Sequence, residues 1–83
     1  MSAIVDYNFY STVYMGSEAD EASFPALCAR AQDVVGAMTR WVDPARLTGQ
    51  VLTLYKKAIC AQTDYFAVNN NAVYIFFHYA LTP

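Results

Sequence analysis

Residues 23–40 read Ser23-Phe24-Pro25-Ala26-Leu27-Cys28-Ala29-Arg30-Ala31-Gln32-Asp33-Val34-Val35-Gly36-Ala37-Met38-Thr39-Arg40, and this stretch decides the fold. Apolar side chains recur at Phe24, Leu27, Cys28, Ala31, Val34, Val35 and Met38. Steps of three and four set them on one face of an α-helix. Arg30, Gln32, Asp33 and Arg40 fall off that stripe. Ser23 is placed to accept a hydrogen bond from a free N–H of the first turn, and Pro25 sits where a missing N–H costs nothing. Glu18, Asp20 and Glu21 lie just upstream, near the positive end of the helix dipole. Gly36 falls mid-helix, at a cost of about 1 kcal/mol relative to Ala, and marks a point of close helix approach.

Downstream, the helix is predicted to end near Trp41-Val42. Asp43-Pro44 then restarts the chain, with Asp as cap and Pro at the first helical position. Residues 44–47 suit a single turn, and Thr48-Gly49 breaks it. A second long helix is predicted from Gln50 to Val68. Its expected inner face is Val51, Leu54, Tyr55, Ala58, Cys60 or Ala61, Tyr65 and Phe66, with Lys56, Lys57, Gln62 and Asp64 mostly outward. The short connection makes the two helices antiparallel neighbours. The expected fold class is therefore all-α, a small helical bundle built on an antiparallel helical hairpin. Trp41, beside the connection, suits either a cover for the small core or an anchor for a partner.

Both ends of the chain are aromatic. Residues 1–17 form an arm in which Tyr7, Phe9, Tyr10 and Tyr14 precede Gly16-Ser17, a turn signal. The spacing suits one face of a short helix, and the composition suits an extended segment equally well. After Asn69-Asn70-Asn71 comes Ala-Val-Tyr-Ile-Phe-Phe-His-Tyr-Ala-Leu-Thr-Pro, with no acidic or basic side chain other than His78. It reads as an extended or strand-like tail. The chain is thus expected to be one domain, 1–83, with an arm (1–17), a helical core (18–68) and an apolar tail (69–83).

Composition bounds what such a domain does. Apolar residues make up 57% of the 83 and charged residues 14%, against about 45–50% and 25% in typical domains. A chain this short buries only about 60% of its unfolded surface, so part of its apolar surface is expected to meet other subunits. The net charge of −2 provides no basic patch for nucleic acid. Charge is uneven: Asp6, Glu18, Asp20 and Glu21 stand alone in the first part, and five basic residues face three acidic ones in the remainder. That polarity would help a head-to-tail neighbour dock, or merely favour the helix start. No apolar run reaches the ~20 residues of a membrane span. The opening Met-Ser-Ala-Ile-Val-Asp has no basic region of the kind a signal peptide carries, which predicts a cytosolic origin.

No catalytic, cofactor-binding or metal-binding residue is expected. His78 is the one histidine and has no partner group signalled by spacing. Cys28 and Cys60 lack zinc or disulfide-framework spacing and read as reduced, buried thiols. The acidic group at residues 18–21 lacks the spacing of a calcium loop. No glycine-rich phosphate loop is present. The aromatic residues Tyr10, Tyr14, Tyr74, Phe76 and Tyr79 are the expected interface anchors, each with the alternative of covering its own subunit's core.

The order of these features resembles a known family. Tyr10, Tyr14 and Gly16 lead into Phe24-x-x-Leu27-x-x-Arg30-Ala31, then Asp33 and Thr39-Arg40; Val51 is followed by Ala58-x-Cys60-Ala61-Gln62-x-x-Tyr65-Phe66. Over residues 7–66 this is similar to the small head–tail connector (adaptor, or head-completion) proteins of long-tailed bacteriophages. The resemblance implies a helical subunit, without enzymatic activity or cofactor, that assembles into a homo-oligomeric ring, typically dodecameric. It further implies contacts with the portal protein and with a tail-proximal stopper or tail-completion protein. DNA would pass non-specifically through the channel, and no membrane would be involved. The place implied is the virion's head–tail interface, after assembly in the host bacterial cytoplasm. The end departs from the pattern: family members carry a longer, more polar, Gly/Ser-containing segment where this chain has Ala72 to Pro83. The alternative is a small helical adaptor or regulator that binds a single protein partner.

Overall fold

The structure is a computed structural model that describes residues 4–68. Every regular element among them is helical: a π-helical turn at Phe9–Val13, helix α1 at Phe24–Met38, a 3₁₀ turn at Pro44–Arg46 and helix α2 at Gly49–Val68. The two long helices pack against each other, as expected of a hairpin. The predicted tail and His78 lie outside the described residues.

The first helix begins differently from the expectation. Ser23 occupies the cap position, but its side chain caps nothing. Instead its Oγ and its backbone N–H both donate to Asp20 Oδ1, each at 2.7 Å. Asp20 is the residue that closes this turn: one oxygen of its carboxylate accepts both donors, and the charge strengthens each bond. Those two donors hold the Asp20 carboxyl below its ordinary range.

The helix also stops earlier, at Met38. The Trp41 N–H donates to the Gly36 carbonyl (2.6 Å), and the Arg40 N–H to that of Ala37 (3.2 Å). This paired closure is a Schellman motif, with Arg40 (φ 57°) and Trp41 (φ 61°) in left-handed backbone. The Trp41 ring folds back so that a Cβ at Gly36 would lie 2.6 Å from its Cζ3. Gly36 therefore makes room for an indole, not for a neighbouring helix. Trp41 stays 64% exposed, a lid on the helix end and not on the core. Asp43 behaves as expected, accepting from the Ala45 N–H at 3.0 Å.

The aromatic arm does not project. Residues 7 and 8 are helical and run into the π turn, in which the Tyr14 N–H reaches the Phe9 carbonyl. Asp6 Oδ1 caps this element by accepting from the Phe9 N–H (2.8 Å). Tyr10 is fully buried, its ring 5.0 Å from that of Phe24. Its hydroxyl accepts from the Ala19 N–H (2.9 Å) and donates to the carboxylate of Asp64 on α2. Phe9 lies under the Lys56 ammonium (4.3 Å), and Ile4 donates its N–H to Gln32 Oε1 (3.0 Å). Gln32, expected on the outer face, is buried for that reason. Met38, expected on the inner face, is exposed.

Two stability measurements follow. Left-handed backbone at a non-glycine residue costs about 1–2 kcal/mol. Glycine's extra freedom when unfolded returns about 0.5–1 kcal/mol of that. Arg40→Gly is therefore expected to stabilise the chain by about 0.5–1 kcal/mol in urea denaturation, and a loss would contradict the cap. Tyr10→Phe strands the Ala19 N–H and the Asp64 carboxylate, and is expected to cost about 1–3 kcal/mol. Burial, reinforced by the bond to Asp64, pushes the Tyr10 phenol from 10.0 up to about 12. The folded state thus holds this proton more tightly than the unfolded chain. Its contribution is complete below pH 10 and is lost between pH 10 and about 12. Alkaline titration of stability should show a smaller fall in Tyr10→Phe than in the wild type, the remainder coming from Cys60, whose thiol burial likewise raises to about 12.

Candidate functional site

Helix α2 carries two apolar stripes. One, Tyr55, Ile59, Cys60, Thr63 and Phe66 with Gln62, is buried against α1 and the arm. The other runs Val51, Leu54, Ala58, Ala61, Tyr65 and Val68, and all six are exposed. The expected inner face mixed the two: Tyr55, Cys60 and Phe66 are inside, while Val51, Leu54, Ala58, Ala61 and Tyr65 are outside. The reason is that the arm packs on α2 through Tyr10–Asp64 and Phe9–Lys56. That contact turns the helix so that Thr63 and Phe66 face inward. Thr63 is tolerated there because its Oγ1 donates to the Ile59 carbonyl (2.8 Å).

The exposed stripe borders a groove of about 360 Å³ between the helices. Val35 and Met38 of α1 with Thr39 just beyond it form one wall, and Ala58, Ala61 and Tyr65 of α2 the other. Gln62 lies at its base, 4% exposed, and its Nε2 has no hydrogen-bond acceptor among the described residues. Buried amides are normally paired, so this one calls for an acceptor from outside the described residues. Its chemistry is apolar contact with one spare donor, which suits a protein surface better than a polar small molecule.

A second hollow, of about 590 Å³, lies between the arm and α1. Val5, Tyr7, Phe24 and Cys28 line it together with Asp6, Glu21 and Asp33. Asp6 already serves as a cap, and among the described residues no three His, Cys, Asp or Glu side chains are placed to hold a metal ion. Burial pushes the Cys28 thiol up and the Cys60 thiol up to about 12, so both are protonated at neutral pH. They are free and buried, as their surroundings in the sequence led us to expect.

Of the expected anchors, Tyr10 is a core residue of its own subunit. Tyr14 is half-buried, stacked on Tyr10 with ring centroids 6.1 Å apart. Tyr74, Phe76 and Tyr79 lie outside the described residues. The structure brings forward residues that the sequence had placed in the core. The signal was there in the strict three-four alternation from Val51 to Val68, separate from the stripe through Ile59 and Phe66. No helix among the described residues is long and apolar enough to cross a membrane. No family model, curated protein or solved structure matches the chain.

Neither thiol is expected to react with a chromogenic disulfide reagent until denaturant is added. Rapid colour from the native chain would place Cys28 or Cys60 at the surface instead.

Proposed function

We propose that the chain is a structural subunit of a phage head–tail connector, joining the portal vertex to the tail as part of a homo-oligomeric ring through which DNA passes. The observation that carries this reading is the exposed apolar stripe on α2, beside a groove whose Gln62 amide nitrogen has no acceptor among the described residues. An 83-residue chain that leaves Leu54, Tyr65 and Val51 about half exposed has a face that gains from a neighbour. The resemblance adds the direction. Its Phe24, Ala31, Cys60 and Phe66 are core positions of the hairpin, and its Val51, Ala58, Ala61 and Tyr65 lie on the open face. In this reading the subunit has no enzymatic part, its place is the virion after assembly in the host cytoplasm, and its contacts are with copies of itself, the portal and the tail-proximal stopper.

The test is assembly of the full chain with a phage portal protein. Electron microscopy of the mixture is expected to show an added ring of density under the portal, with the portal's rotational symmetry. A portal left bare, together with capture of a different single protein in a one-to-one complex, would favour the small adaptor instead.

A further inference from the structure

We propose that α2 is a self-association helix in the free chain: a second copy lies antiparallel on it, with the two-fold axis between Ala58 and Ala61. The pairing goes beyond the connector reading and does not depend on it.

The first argument is the order of sizes along the exposed stripe. Val51, Leu54, Ala58, Ala61, Tyr65 and Val68 run medium, large, small, small, large, medium. The sequence of sizes is the same from either end, so the face is complementary to itself under a two-fold rotation. Ala58 then meets the partner's Ala61, Leu54 the partner's Tyr65, and Val51 the partner's Val68. Three-four spacing favours helices crossing at a shallow angle of about 20°. The small residues sit where the backbones come closest. The large ones sit farther out, where the helices diverge. The stripe is about 25 Å long at 1.5 Å per residue, so the contact covers most of α2.

Charge selects the antiparallel alignment. Lys57 and Asp64 flank the stripe on the same side, one before its centre and the other after it. Under the two-fold, each Lys57 comes beside the partner's Asp64, giving two opposite-charge pairs. A parallel pair would set like charges at the same level. Asp64 is already anchored by the Tyr10 hydroxyl, so its carboxylate is held in place before the partner arrives. The third argument is independent of the stripe. Gln62 is buried at the base of the adjoining groove with an amide nitrogen that lacks an acceptor among the described residues. A partner helix seated over the groove would cover Val35 and Met38 as well.

The experiment uses the full chain. Sedimentation across a concentration series is expected to show a monomer–dimer equilibrium. Ala58→Glu, at an exposed position that the fold does not need, is expected to weaken it about a hundredfold or more, since it sets two unpaired charges at the centre of an apolar contact. Circular dichroism confirms that this variant remains helical. Orientation is read by mixing L54C with Y65C under mild oxidation. The antiparallel pair gives the mixed disulfide dimer, and neither variant crosslinks to itself. Self-crosslinked L54C, a dimer indifferent to Ala58→Glu, or a chain monomeric throughout would each overturn the proposal. In the monomeric case, a Y65C thiol shielded from alkylation would show that another part of the same chain covers the stripe.

Discussion

The Tyr10 hydroxyl holds the molecule together. It takes the Ala19 N–H and gives its own proton to Asp64, so one side chain joins the arm, the approach to α1 and the middle of α2. The ring beneath it packs against Phe24, Tyr7 and Tyr14. Gly16 is required by the same ring, which occupies the space where any Cβ at that position would go. Two helices of this size share too little surface to form a core alone. The arm supplies the third layer, and Val5 and Tyr10 are completely enclosed by it.

That third layer decides which side of α2 becomes interior. The helix is apolar on two faces, and either could have met α1. Once Lys56 lies over Phe9 and Asp64 over Tyr10, the Ile59–Phe66 face is committed to the core and the Val51–Val68 face is left to solvent. At about 25 cal/mol per Å² of apolar surface, covering a strip of six such residues is worth several kcal/mol to any neighbour of matching shape. The proposed ring and the proposed antiparallel pair both draw on this one asymmetry. They differ in what meets the face: a different surface of the next subunit, or the same helix turned about.

Much of the hairpin was legible in the residues. The period of α1 and the Asp43-Pro44 restart are set by neighbours in sequence, through backbone hydrogen bonds and dihedral preferences. The misreadings share a cause. Ser23 yielded its cap to Asp20, Trp41 turned back over Gly36, Gln32 turned inward to hold Ile4, and α2 rotated to meet the arm. In each case two groups competed for one partner, and the winner depended on geometry that the local pattern does not contain.

The amino-acid order by itself determined that the chain forms two long helices with greasy faces, joined by a short turn, with thiols that stay reduced and buried. It determined this because helix formation and termination are governed by residues within a turn or two of each other. Only the tertiary structure decided which greasy face closes on the core and which stays open. That choice rests on a hydrogen bond between Tyr10 and Asp64, far apart in the chain, and on the packing of aromatic rings around it.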